Sequence, residues 1–192
     1  MKIIHLAIDE KFLGNEFIPN LKRFYGLKDH HFLVVCDNEP KYLITEKDIS
    51  LNYIQKNEIS YNLEQQMSFE KIIIHGYVDS MRESILSLPK SIEVTALVYG
   101  FEFYSKIENK IQLYKNATKD YMQKNKKKPK KVTGFKNFLH KKKYDFNRKL
   151  LIKRSFKRID RVAHFNIAEF SIFKKTLNLN ASFLEFNIGL PF

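Results

Sequence analysis

Tryptophan is absent from this chain, cysteine occurs once, and glycine and proline are scarce at six and five among 192 residues. A single cysteine, Cys36, excludes an intrachain disulfide, so a small secreted scaffold held by crosslinks is ruled out and a reducing compartment is expected. Its neighbours Phe32-Leu33-Val34-Val35 make it a packed structural thiol rather than a nucleophile. So few glycines and prolines leave no room for long flexible linkers. No apolar run approaches the roughly 20 residues that a membrane-spanning helix needs. The opening Ile3-Ile4-His5-Leu6-Ala7-Ile8 is too short for a signal peptide and is followed at once by Asp9-Glu10-Lys11. It reads as a buried first strand, and the protein is expected to be soluble or peripheral, inside the cell.

Several chemical signatures are missing too. There is no Gly-x-Gly-x-x-Gly or Walker-type loop for a nucleotide, no Gly-x-Ser-x-Gly elbow, and no cluster with zinc-ligand spacing. His30-His31 precedes a buried strand, far in sequence from other ligand types. Neither a metal nor a cofactor is expected.

What is present is an ordinary core and an unusual distribution of charge. Apolar residues make up 44% and aromatics 14%, which suffices for a packed domain and excludes wholesale disorder. Of a formal net charge of +13, residues 124–161 hold 17 Lys/Arg against only Asp145 and Asp160, while the remainder of the chain is near neutral. An acidic surface is the partner this segment calls for: phospholipid headgroups, a pyrophosphate or nucleic acid.

Hydrophobic periodicity gives an alternating order. Strands are expected at residues 2–8, 31–36, 71–76, 93–99, 161–165 and 182–188, with short ones at 42–45 and 59–63. Helices are expected at 16–26, 79–88, 103–122, 135–159 and 168–177, with a basic loop at 124–131. Strands that alternate with helices and are apolar on both faces predict an α/β, Rossmann-like three-layer domain. Its sheet is mostly parallel, with five to seven strands. The whole chain reads as one such domain, with a basic loop and helix at 124–159. Ligands of such sheets bind beyond the strand carboxyl ends, which singles out Asp9, Asp37, His75-Gly76, the stretch from Gly100 to Tyr104, and the stretch from Asn166 to Glu169.

Two strand ends stand out. One closes in His75-Gly76, and the next runs into Tyr99-Gly100-Phe101-Glu102-Phe103-Tyr104. An imidazole and a carboxylate at neighbouring strand ends can share a proton with a sugar hydroxyl or hold a phosphate. The same spacing also fits plain turn glycines, with His75 and Glu102 as helix caps.

These elements occur in order with the opening Lys2-Ile3-Ile4-His5 strand. Together with Ile73-Ile74-His75-Gly76 and Val98-Tyr99-Gly100-Phe101-Glu102-Phe103-Tyr104, they resemble the N-terminal domain of bacterial 4-acetamido-4,6-dideoxygalactose transferases, also called 4-alpha-L-fucosyltransferases. Tyr99, Gly100, Glu102 and Tyr104 match a Trp-Gly-x-Asp-x-Tyr-like element of that family. The stretch from Phe165 to Lys175 resembles its turn into a later helix, and Phe183-Leu184-Glu185-Phe186 the strand that follows. The chain departs from the pattern in having no tryptophan, in Glu102 for an aspartate, in Asn166 near an expected threonine, and in a longer basic stretch.

The resemblance implies the acceptor-side half of a GT-B type glycosyltransferase. Such an enzyme moves a deoxyamino or fucose-like sugar from a nucleotide sugar to a lipid-linked oligosaccharide in surface polysaccharide synthesis, as for enterobacterial common antigen. The donor-binding domain would follow Phe192, so the isolated half is not expected to catalyse transfer. On this reading His75 and Glu102 are catalytic candidates, and Asp9, Gly76, Gly100, Tyr104, Asn166 and Glu169 bind the acceptor.

The basic helix carries two apolar faces: Phe135, Leu139, Phe146 and Leu150 on one, and Ile152, Phe156 and Ile159 on a rotated second. With Lys141, Lys142, Lys143, Arg148 and Lys149 around them, the first face suits the interface of an anionic membrane. The bland alternative is a solvated helix packing that face on the sheet. A rival of another class is a basic nucleic-acid-binding or noncatalytic interaction module. It is disfavoured because no nucleic-acid-binding motif is present and the strand-end signatures would go unexplained.

Overall fold

The computed structural model describes residues 2–44, 46, 49–66, 68–98 and 135–186. Seven strands form one all-parallel sheet: β1 (Ile3–Ile8), β2 (His30–Cys36), β3 (Ser50–Gln55), β4 (Lys71–His75), β5 (Glu93–Leu97), β6 (Arg161–His164) and β7 (Ser182–Glu185). Their spatial order is β3-β2-β1-β4-β5-β6-β7. The α/β, Rossmann-like expectation therefore holds, and the sheet, expected to be mostly parallel with five to seven strands, is all parallel with seven among the described residues.

Both faces of the sheet are covered, as parallel sheets require. One face presents Ile4 and Leu6 of β1, Leu33 and Val35 of β2, and Ile72 and Ile74 of β4. These pack with α2 (Ile59–Gln65), α3 (Arg82–Ser87), α4 (Phe135–Arg158) and α5 (Ile167–Leu177). The other presents Ala7, Phe32 and Val34 to Leu13 and Ile18 of a π-helical turn, Leu13–Phe17, and the helix α1 (Ile18–Tyr25) that continues it. Gly26 ends α1 at φ 76°, a conformation costly for any residue with a Cβ.

Two expectations are corrected around β3. Residues 59–63 form a helix, not a strand, because Ile59 and Leu63, four residues apart, are the two side chains that α2 buries. No strand forms at 42–44, where Asp9 takes the backbone N–H of Lys41 and Tyr42 and the Tyr53 hydroxyl takes that of Ile44 (position 45 lies outside the described residues). The strand of this region is β3, at the sheet edge, where only Ile54 is buried. The helix at 103–122 and the loop at 124–131 lie outside the described residues.

A buried arginine locks α4 to the sheet. Arg82, 1% exposed, sits between the rings of Tyr77 and Phe156 at 4.4 and 4.7 Å. It donates to Ser155 Oγ on α4, to the Tyr77 carbonyl and to Asp79 Oδ1. Tyr77 Oη in turn donates to the Ser155 carbonyl at 2.9 Å. With Phe156 and Ile159 buried in the same core, the last turns of the basic helix are anchored.

Candidate functional site

The chain leaves β1 toward one side and β4 toward the other, so the switch of strand order lies between their carboxyl ends. A crevice of about 690 Å³ opens there, lined by Ile8 at the end of β1 and Asp9 and Glu10 after it, Val35 and Cys36 at the end of β2 and Asp37 to Glu39 after it, Lys41, Lys56, and Val78 to Ser80 after β4. In a nucleotide-binding sheet this spot carries glycines and a free helix N-terminus. Here it carries five carboxylates, Asp9, Glu10, Asp37, Glu39 and Asp79, against two lysines.

Several of the carboxylates already have partners. Asp37 pairs with Lys56. Asp79 is shared between the buried Arg82 and Arg148 of α4. Asp9 accepts backbone N–H bonds from the loop after β2, at 3.1 Å from Tyr42, so this candidate shapes the crevice wall as well as facing it. Burial pushes the Glu10 carboxyl up from its ordinary range. Cys36 is buried and its thiol is pushed up, chiefly by desolvation and then by Asp9, so it is inert packing, as the sequence implied.

His75 is the last residue of β4, paired in register with Ala7, and caps no helix. It does not line the crevice: its ring lies on the α1 face of the sheet, with Phe17 edge-on at 4.4 Å. Burial holds this imidazole down at about 3, so it is neutral at physiological pH. Its Nε2 meets His5 Nδ1 at 3.0 Å, and His5 Nε2 meets His30 Nδ1 at 2.7 Å. Among the described residues His75 Nδ1, which is buried, has no hydrogen-bond partner. Gly76 follows at φ 68° and donates its N–H to the Leu97 carbonyl, which supplies the turn the sequence suggested. Gly100, Glu102 and Tyr104 lie outside the described residues.

Asn166 is the N-cap of α5, its side chain accepting from the N–H groups of Ala168 and Glu169. Glu169 Oε2 stands 3.5 Å from Nε2 of His164, a wholly buried residue whose Nδ1 accepts the Asn166 N–H at 3.0 Å. Sequence reading missed His164 as well as His5 and His30. His5 and His164 sit inside apolar runs and His30 at the head of one, and only strand register shows that His5 and His30 meet.

On α4, every described residue from Lys143 to Leu150 is exposed, Lys143 and Lys149 among them. Tyr144 and Phe146 are 67% and 66% exposed, and Leu150 follows Phe146 on the same face. That face therefore does not pack on the sheet, whereas the rotated face with Phe156 does. Arg148 bends back to Asp79. Phe135, Leu139, Lys141 and Lys142 lie in the first turns of α4, and their side chains are outside the described part.

Among the described residues no group of three or more His, Cys, Asp or Glu is arranged to hold a metal ion. No helix among them is long and apolar enough to cross a membrane. No protein-family model and no curated protein sequence matches the chain.

Proposed function

We propose that this chain is the acceptor-binding half of a GT-B type glycosyltransferase, one that extends a lipid-linked saccharide at the inner face of a bacterial membrane. The observation that carries the reading is the acidic crevice at the switch point of a nucleotide-type sheet. Carboxylates repel a nucleotide's phosphates but accept hydrogen bonds from sugar hydroxyls. The position where such a sheet holds a ligand is thus retained, while the means of holding phosphate there are not. The nucleotide-sugar donor then belongs to a second domain, as the family resemblance implies.

The basic helix supports the location. A stretch exposed on all sides, with Tyr144, Phe146 and Leu150 among lysines, fits an anionic lipid surface. Each basic residue near such a surface is worth about 1 kcal/mol. Bound there, the domain would hold its crevice close to a lipid-anchored acceptor.

Titration by heteronuclear NMR tests the crevice. A short-chain lipid-pyrophosphate oligosaccharide should shift the backbone signals of Asp9, Asp37 and Asp79, and a free nucleotide should not. Nucleotide binding at those residues, with no response to the saccharide, refutes the proposal; oligonucleotide binding centred on α4, with a silent crevice, favours the nucleic-acid module.

A further inference from the structure

Three histidines cross the α1 face of the sheet on a diagonal. His30 opens β2 at the level of Ile3, His5 lies in the middle of β1, and His75 ends β4 at the level of Ala7. Each step moves one strand over and two residues along, so all three side chains share a face. The result is a continuous file, His30 Nδ1 to His5 Nε2 at 2.7 Å and His5 Nδ1 to His75 Nε2 at 3.0 Å. His30 is half-buried at the amino end of the sheet, whereas His5 and His75 are buried. Phe32 stacks on His5 with ring centres 4.4 Å apart, which fixes its plane.

Neutral imidazoles carry one proton each, and each hydrogen bond in the file takes one. Only two neutral arrangements satisfy both bonds. Either all three rings are protonated at Nε2, leaving His75 Nδ1 a bare acceptor, or all three at Nδ1, making it a donor. The two differ by one proton displaced at every step. We propose that His30, His5 and His75 form a proton wire between solvent at the amino end of the sheet and a ligand hydroxyl at its carboxyl end. His75 does not line the crevice, so the acceptor of the reading above supplies that hydroxyl only by reaching past Phe17 on the α1 face; the wire itself does not rest on that reading.

The acceptor O–H bond breaks as its oxygen attacks the anomeric carbon of the nucleotide sugar. The bond from that carbon to the donor phosphate breaks, the nucleotide leaves with the electron pair, and the acceptor proton bonds to His75 Nδ1. His75 passes its Nε2 proton to His5 Nδ1, His5 its Nε2 proton to His30 Nδ1, and His30 releases its Nε2 proton to water. No ring keeps a positive charge. When product leaves and water reaches Nδ1, the reverse passage restores the first arrangement.

The wire resolves a conflict in assigning His75 as a base. Burial makes an imidazolium at His75 or His5 costly, and Lys71 beside His5 adds to that cost. Lys71 is held by Glu93, which also binds Arg161, and Asp29 flanks His30. A lone His75 would be too weak a base at neutral pH, but a wire never has to store the charge. Phe17 covers His75 from a π-helical turn, a form common where helices are adapted for function, and its ring must turn aside for a hydroxyl to enter.

The test is NMR of the full chain labelled with nitrogen-15 in histidine. In the unsubstituted protein all three rings should show the same tautomer, with couplings across both N–H···N bonds. Mixed tautomers, or an imidazolium at His5 or His75 at pH 7, would overturn the wire. Ring N–H exchange with water should slow about tenfold or more at His5 and His75 in His30→Phe, which plugs the solvent end, with the melting temperature retained. It should stay fast in His30→Ala, which admits water to His5. Unchanged exchange in His30→Phe returns the file to a static polar network, and if that variant does not fold the tautomer result decides. A complete enzyme that transfers sugar while His30→Phe leaves exchange unchanged refutes the wire alone. An intact wire with no saccharide binding refutes the acceptor reading alone.

Discussion

Acidification below pH 6.5 should destabilise this protein well before its carboxylates titrate. His75 has its pKa lowered by burial from 6.5 to about 3, so the unfolded chain binds a proton across that window that the folded chain does not. Stability then falls with pH by up to about 1.4 kcal/mol per unit for each such group. The sign follows from the unfolded state binding more protons. The contribution is complete above pH 6.5 and is lost progressively as pH falls toward 3. Between pH 7 and pH 5, His75 alone removes about 2 kcal/mol, a large part of a typical domain's stability of about 5–15 kcal/mol. His5, lowered well below its ordinary value by burial and then by its two histidine neighbours, steepens the slope, and His30 and His31 act in the same direction. Glu10, raised by burial, acts in the opposite sense near the carboxylate range, and Glu93, which is lowered, weakens folding only below about pH 4.5. Urea unfolding at half-unit steps from pH 7 to pH 5 measures the slope, and His75→Gln should reduce it by about one proton. A flat profile would mean that the folded protein takes up these protons as readily as the unfolded chain, and the claim that the histidines are neutral would fail.

Arg82→Ala should cost about 3–5 kcal/mol by chemical denaturation, because it strips a buried cation from Asp79, Ser155 and the Tyr77 carbonyl and opens a gap between two rings. Phe146→Ser with Leu150→Ser should leave stability within about 0.5 kcal/mol, since both side chains are exposed. The same pair should sharply weaken binding to anionic vesicles in a sedimentation assay. Unaltered vesicle binding would remove the apolar part of the membrane reading.

The central strands were legible because each is a β-branched run wide enough to be buried on both faces, as in Ile72-Ile73-Ile74 and Leu33-Val34-Val35. The edge strand β3 was not, since Leu51, Tyr53 and their exposed neighbours carry little of that signal. Ile59 and Leu63 misled for a related reason. Two apolar residues four apart fit a helix face or an alternating strand, and tertiary packing decided for the helix. At the site, Gly76 was readable as a turn and Asp9 as a strand-end acid. The partnership of His5, His30 and His75 was not, because it depends on which strands are neighbours and in what register. Nothing in a chain of one dimension brings position 5 beside position 75.

The position of β5 has a consequence for how the chain can be cut. Its partner on one side, β4, lies about 22 residues earlier by register, whereas its partner on the other, β6, lies 66 residues later (Thr95 opposite Arg161). Any truncation or nascent chain that ends before Arg161 therefore leaves β5 as an open edge. Val94, Ala96 and Leu97 are buried in the finished sheet and would be bare there, beside a row of unpaired amides and carbonyls. Edges of that kind recruit other strands. Fragments ending in the basic segment should aggregate through β5, and adding β6 and β7 as a separate peptide should compete with that self-association.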